Sequence, residues 1–418
     1  MTKSLTPIDT TLQTFNQLIR KRSSMVKEPN HYLEYMDRQL DELHSVRHDI
    51  HHHPELGFEE FRTSDLVADR LNAWGYDVER GIGGTGVVGR LRRGNGTRRL
   101  GIRADMDALP IEETTGLPYA SSRPGVMHAC GHDGHTAILL GAAKYLALHG
   151  EFSGTLNLIF QPAEESLGGA KRMIEEGLFE KYPCDAIFAM HNMPGTPQGR
   201  LVFREGAAMA SSDYVTITLT GKGGHSAMPQ LAVDPVVAAA SIIMALQTIV
   251  SRNADPQHMA IVTVAAIHAG KANNVIPHTA TLEISVRSLD RSLRKLIETR
   301  IRDIVTAQAQ SFGVQADIDY REGYAVLVNT AAETDFARQI GQQLLGHEHV
   351  TPQGDALTAS EDFAFMLEKV PGCYLFIGNG ERQAPGGCDV HNPNYDFNDH
   401  NLPIGAAYWT LLAESYLR

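Results

Sequence analysis

The sequence predicts an α/β protein: an open, mostly parallel sheet with helices on both faces, interrupted by a smaller inserted unit of the β-α-β-β-α-β kind. Three observations predict it. Short apolar runs alternate with amphipathic helical stretches over most of the chain. A middle segment changes to strands with period-two alternation. The length of 418 residues exceeds what one ordinary core serves, so two domains, or one domain carrying an insertion, are expected.

The elements follow in order. Leu12, Phe15 and Ile19, then Tyr32, Met36, Leu40 and Leu43, stand at helical spacing and predict two helices in the opening stretch. Residues 60–74 form a further amphipathic helix ended by Gly75. Strands are then expected at Gly86–Leu91, Arg99–Arg103, Thr155–Phe160, Ala186–Met190 and Tyr374–Ile377, with helices near 134–149, 168–179, 332–345 and 402–416. The middle reads as strand Asp213–Thr220, helix Asp234–Val250, strands Ala260–Ile267 and Thr279–Arg287, a helix at 290–310 and a strand at 314–320. Asp234 is placed to cap its helix, and Pro235 suits the first turn. The insertion at about 208–321 thus divides the α/β domain into 1–207 and 322–418.

Composition narrows the function. A net charge of −12 argues against nucleic acid or an anionic membrane as partner. No stretch reads as a membrane span and the N-terminus does not read as a signal peptide. Four cysteines (Cys130, Cys184, Cys373 and Cys388) are too sparse for a disulfide scaffold, so a reducing cytoplasm is expected.

Polar residues gather where ligands bind in open α/β sheets, beyond the carboxyl ends of strands. The strand ending at Arg103 is followed by Asp105 and Asp107, and the one ending at Phe160 by QPAEE with Glu164 and Glu165. The strand ending at Met190 runs into His191, and the one ending at Ile377 leads through a glycine-rich loop towards His391. MHACGHDGHT packs Cys130, His132, Asp133 and His135 ahead of a helix, a mixture of thiolate, imidazole and carboxylate suited to zinc and its first-row neighbours. Cys130, His132, Glu165, His191 and His391 are more donors than one ion uses, which suggests two ions sharing a bridging ligand. Glu164 and Glu165 alternate faces on an extended segment, so one can ligate metal while the other moves a proton. A cysteine nucleophile is the competing reading of Cys130.

Three other motifs look functional and read otherwise. GIGGTG, from Gly81 to Gly86, is followed by a strand where a dinucleotide-binding loop needs a helix. HDIHHHPE, from His48 to Glu55, lies at a helix end before Pro54 and reads as structural. His225, in GKGGHSAMP, stands on a glycine-rich turn of the insertion, where the residues alone make it an ordinary loop histidine.

From about residue 44 onward, RHDIHHHPELGFEE, GIRADMDALPIEE, MHACGHDGHTA, LIFQPAEE, AMHNMP, GKGGHSAMP, ANNVIPHTA, SEDFAFML and the late His391 occur in one order. In this the chain resembles the metallopeptidase family of aminoacylases and carboxypeptidase-G-like enzymes. Within it, the branch of hippurate hydrolases and hydrolases of indole-acetyl amino-acid conjugates is the most similar. The resemblance implies a catalytic domain carrying an inserted lid that also dimerises. It implies a bridging Cys130, with His132, Glu165, His191 and His391 completing two sites for divalent zinc, manganese, nickel or cobalt. Glu164 would be general base and then acid, Asp105 a support behind the ligands, His225 an oxyanion donor, and Asn274 and Arg287 the holders of the substrate carboxylate. Other branches have a carboxylate at the Cys130 position and a histidine where Arg103 stands, so His132 looks like the substitute ligand. The implied reaction is hydrolysis of a small N-acyl-amino acid of the hippurate, N-acetyl or indole-acetyl type, by a homodimer or tetramer. A dipeptidase or carboxypeptidase of the same chemistry, and a non-catalytic metal-dependent binding protein, are the alternatives.

Overall fold

The computed structural model describes residues 28–165 and 167–418. They form two compact units: one of the described residues up to Phe203 with Ala332–Pro352 and Val370–Arg418, the other of Arg204–Ala331 with Gln353–Lys369. The helix expected around Leu12, Phe15 and Ile19 lies outside the described residues.

In chain order the main strands are β1 (Asp77–Ile82), β2 (Gly86–Arg93), β3 (Arg99–Asp105), β4 (Gly154–Gln161), β5 (Ala186–Pro194), β6 (Leu201–Val202), β7 (Ser211–Thr220), β8 (Ala260–Ala269), β9 (Thr279–Ser288), β10 (Gln315–Glu322), β11 (Val350–Thr351) and β12 (Gly372–Gly380). The first unit holds an eight-stranded sheet in the order β1-β2-β4-β3-β5-β12-β6-β11. Its centre, β4-β3-β5-β12, is parallel throughout. These four strands are almost entirely buried, as strands covered on both faces must be. Their parallel pairing places all four carboxyl ends on one edge, which positions the site.

Two apolar helices, His132–His149 and Asn401–Tyr416, pack on each other and are buried over most of their length. The Tyr32 to Leu43 pattern covers two helices, Pro29–Asp37 and Leu40–His52, separated by the turn at Arg38 and Gln39. The stretch expected as one helix at 168–179 is also two, Gly169–Glu175 and Leu178–Lys181, because Gly177 takes a φ of +90° between them. Strand β1 escapes the sequence pattern because it is a largely exposed edge strand with little apolar alternation. It forms a hairpin with β2 whose turn is GIGGTG, with Gly81, Gly83 and Gly84 all at positive φ.

The second unit has an antiparallel sheet in the order β8-β9-β7-β10. Helices Pro235–Thr248 and Arg291–Phe312 pack against it around one apolar core. This is the β-α-β-β-α-β succession, with the first and third strands adjacent at the centre. Asp234 caps the first helix by accepting the Val236 N–H at 2.8 Å, and Asp290 caps the second through Leu293 N–H at 2.7 Å. Contrary to the sequence expectation, one run, Pro235–Asn253, is long and apolar enough to cross a membrane by length and composition. Its composition reflects two apolar faces. Ala238, Ala239, Ile242 and Leu246 enter the core, while Val237 and Met244 remain 53% and 71% exposed.

Candidate metal centre

The residues at the four parallel strand ends converge. Ahead of the His132–His149 helix, Gly131 adopts a φ of +88°, and any side chain there would collide with Asn192 and Tyr395. This turn sets Cys130 and His132 on either side of one bend. The Cys130 Sγ lies 3.3 Å from Nε2 of His191. The other ring nitrogen of His191, Nδ1, donates to the Asn192 carbonyl at 2.7 Å, which leaves Nε2 to face the thiol. His391 is held at φ +62° with its N–H on the Ala129 carbonyl at 2.7 Å, and its Nε2 comes within 3.1 Å of Glu165 Oε1.

His132 is fully buried, and its Nδ1 meets Asp107 Oδ1 at 3.1 Å. The second Asp107 oxygen accepts the Glu165 N–H at 2.9 Å. The Nε2 of His132 is left buried with no hydrogen-bond partner. A histidine ring whose one nitrogen is held by a carboxylate and whose other is unused has the arrangement of a metal ligand.

Among the described residues of the first unit, four sets of donors each bring their ligand atoms within 4.8 Å: Cys130 with His132 and His191, Cys130 with Glu165 and His391, His132 with Glu164 and Glu165, and Asp105 with His132 and His135. The first two share Cys130. Thiolate, imidazole and carboxylate in these sets fit divalent first-row ions, and a shared sulfur fits two ions side by side.

Asp105 and His135 belong behind this centre. His135 donates from Nδ1 to Asp105 Oδ1 at 2.6 Å, while its Nε2 accepts the Asn192 N–H at 3.0 Å, so both ring nitrogens are in use. Asp105 also takes the Arg103 guanidinium at 2.6 Å, and Arg103 reaches Gln161 at 2.8 Å. Asp107, Asn192 and Tyr395 received no role from the sequence. Asp107 carried a signal nonetheless, since it follows Asp105 by two positions beyond a strand end, the spacing that returns a side chain to one face of an extended segment.

Within the histidine tract, His51 is buried in a polar network. His51 donates to Asp133 at 2.8 Å and lies 3.3 Å from Glu113, and Arg47 donates to the same Asp133 at 2.7 Å. Asp133 is thus fixed next to His132 from behind. His225, Asn274 and Arg287 lie in the second unit. His225 pairs with Val275 in a short antiparallel ladder, and Ser226 N–H donates to the Asn274 carbonyl at 3.0 Å, which brings His225 and Asn274 to neighbouring positions. Arg287, on β9, donates to Ser360 Oγ at 2.8 Å.

A model of peptidase family M20/M25/M40 matches residues 101–415. The chain belongs to this family. The hippurate hydrolase of Campylobacter jejuni is 47% identical over 385 residues, covering 92% of this chain and 99% of that protein. An Arabidopsis thaliana protein named IAA-amino acid hydrolase ILR1-like 5 is 39% identical over 396 residues, covering 93% and 90%. Among solved structures, the Bacillus subtilis YXEP protein, described as a dinuclear metal binding peptidase of the M20 family, superposes with a TM-score of 0.79 at 32% identity, covering 91% of this chain and 99% of that one.

In this M20 chain the buried charges are arranged for a cation. Burial, reinforced by Glu165, Glu164 and Asp105, pushes the Cys130 thiol well above its ordinary range, so without a cation it stays protonated. That disfavours the cysteine-nucleophile reading. Burial works against charge on His132, but Asp105 and Asp107 outweigh it and raise the ring to about 10. His191 moves the other way, depressed by burial and by His135. Asp105 is held well below the usual carboxylate range by His132, Arg103 and His135 in spite of its burial. Carboxylates outnumber the cations among these groups, and bound metal would rebalance them.

Proposed function

We propose that Cys130, His132, Glu165, His191 and His391 would hold two divalent metal ions, with Cys130 able to serve both, and that the enzyme uses them to hydrolyse N-acyl-amino acids to a carboxylic acid and a free amino acid. The chain is a metal-dependent amidohydrolase acting on N-acyl-amino acids. The observation that carries this reading is the pair of donor sets meeting at Cys130, with Glu164 buried beside them. Zinc, manganese, nickel and cobalt all suit the donors. The names of the hippurate hydrolase and the IAA-amino acid hydrolase support the substrate class.

Bound divalent ions supply two things: they lower the pKa of a water from about 15.7 towards ~7, and they polarise the amide carbonyl. The protein's groups do the rest. Glu164 takes the proton of the attacking water and returns it to the leaving amine nitrogen, so one carboxylate serves as base and then acid. His225 donates to the oxygen that gains charge as the carbonyl carbon becomes tetrahedral. Asn274 and Arg287 hold the substrate's carboxylate. Asp107 keeps His132 oriented by taking its Nδ1–H, and Asp105 keeps His135 and Arg103 in place behind the ligands.

We read 1–207 with 322–418 as the catalytic domain and 208–321 as lid and dimerisation domain; by compactness the second unit also takes in residues 322–331 and Gln353–Lys369. Homodimer formation through the lid is supported by β8, which is an edge strand with Ile267 48% exposed, and by the exposed Val237 and Met244 of the Pro235–Thr248 helix. Four free cysteines support a reducing compartment, the cytoplasm.

The test is a panel of hippurate, N-acetyl-methionine, indole-acetyl-alanine and a plain dipeptide, each given to chelated enzyme and to enzyme with zinc or manganese restored. Cleavage of an acyl-amino acid that returns with metal is expected and names the acyl group. Cleavage of the dipeptide alone would replace this reading with a dipeptidase.

A further inference from the structure

Ala163 immediately precedes Glu164, and its φ of +53° lies in the left-handed region that L side chains avoid. Both of its peptide groups are committed. Its N–H donates at 2.8 Å to Oε1 of Glu60, a residue 103 positions earlier. Its carbonyl accepts the Gly169 N–H at 3.0 Å, and Gly169 packs so closely on the Pro162 carbonyl that no larger residue fits. Glu60 is itself completely buried. Its second carboxylate oxygen accepts the Thr85 hydroxyl, and the Thr85 carbonyl accepts the Ser64 hydroxyl. Glu60 comes from PELGFEE and Thr85 from the GIGGTG turn, two motifs to which the metal centre assigns no role.

The geometry points to Glu60 as a positioning residue: its carboxylate holds Ala163 in the left-handed conformation that presents Glu164 and Glu165 to the metal centre. The inference rests on the roles proposed above for those two residues. The physical link is the backbone. A strained φ persists only where its surroundings over-determine it. With its N–H held by the Glu60 carboxylate and its carbonyl by the Gly169 N–H, Ala163 cannot leave this φ without giving up one of two hydrogen bonds. When the carboxylate is removed, the chain direction after Ala163 is free to change. Glu164 and Glu165 then move together. Thr85 and Ser64 in turn keep the carboxylate from rotating away.

Glu60→Leu keeps the approximate volume and removes the acceptor. It is expected to lower kcat at least about tenfold on the preferred acyl-amino acid, with KM within about threefold. Zinc or manganese affinity, titrated into the chelated protein, is expected to fall about tenfold. Glu60→Gln retains an amide oxygen for the Ala163 N–H and is expected to stay within about threefold of wild type on all three readouts. Ala163→Gly added to Glu60→Leu should recover most of both losses, because glycine adopts positive φ without steric cost. A folded Glu60→Leu protein with wild-type kcat and metal affinity would overturn the inference. So would a loss that Ala163→Gly leaves unrepaired, since that pattern belongs to a residue that merely fills the core. If Glu60→Leu does not fold, Thr85→Val with and without Ala163→Gly decides in the same way. A lowered metal affinity that glycine restores supports the inference, and an unchanged one overturns it. The metal titration needs no substrate, so wild-type enzyme inactive on every acyl-amino acid would sink the proposed function and still leave this test readable.

Discussion

Oδ1 of Asp107 lies 3.1 Å from Nδ1 of His132, and the opposite nitrogen of that ring is buried without a hydrogen-bond partner. Asp107 therefore chooses which face of the imidazole is left for a metal. Because its other oxygen holds the Glu165 backbone, one carboxylate orients both of these proposed ligands. Asp107→Asn keeps the size and offers a weaker, neutral acceptor. It is expected to reduce metal affinity about 10–100-fold in a calorimetric titration. Unchanged affinity would remove Asp107 from this role.

Glu164 is expected to matter for proton transfer and little for holding metal. Glu164→Gln should retain the wild-type metal content by elemental analysis while kcat falls ~10²–10⁴-fold. Residual activity near wild type would contradict its assignment as base.

Cys130 should be inert when metal is absent. Burial and three carboxylates keep its thiol protonated, so iodoacetamide at pH 7 is expected to modify it at least about tenfold more slowly than a free thiol. Peptide mass spectrometry of chelated enzyme reads this directly. Rapid alkylation would revive the cysteine-nucleophile mechanism.

His51 links stability to pH. Burial opposes its charge, but the hydrogen bonds to Asp133 and Glu113 prevail and raise it from 6.5 to about 9. A raised histidine stabilises the fold fully below pH 6.5, and that contribution disappears as pH climbs through about 9. The melting temperature of chelated protein should therefore drop by about 2 °C or more across this window, and less so in His51→Gln. Equal slopes for the two proteins would count against the His51–Asp133 pairing as a source of stability.

The exposed face of the Pro235–Thr248 helix is expected to be covered by a second copy. Met244→Glu places a charge in that contact and should weaken the dimer about thirtyfold or more, read as a shift towards monomer in light scattering coupled to size exclusion. A monomeric wild type would dispose of the proposal.

Periodicity alone made the order of strands and helices legible here, because side-chain burial repeats every two residues in a strand and every 3.6 in a helix. It also made the metal centre legible in outline, since a parallel sheet collects its carboxyl ends on one edge and the polar residues stood after β3, β4 and β12 and within β5. Exposed edge strand β1 was not legible, because a strand without a buried face has no alternation to read. The break at Gly177 was missed for a different reason: a glycine at positive φ changes the backbone without changing the hydrophobic pattern.

The sequence by itself determined most of the longer elements and which polar groups follow the strand ends. Tertiary structure decided what those groups do for one another. His135 and His132 are both histidines of one motif, yet the Asn192 N–H satisfies the first and nothing satisfies Nε2 of the second. Glu60 joins Ala163 across 103 positions and His51 joins Asp133 across 82, pairings that no local spacing encodes. The reason is that hydrophobic burial is summed along an element and leaves a periodic trace. A buried hydrogen bond depends on one donor and one acceptor arriving within about 3 Å, and only the folded chain fixes that distance.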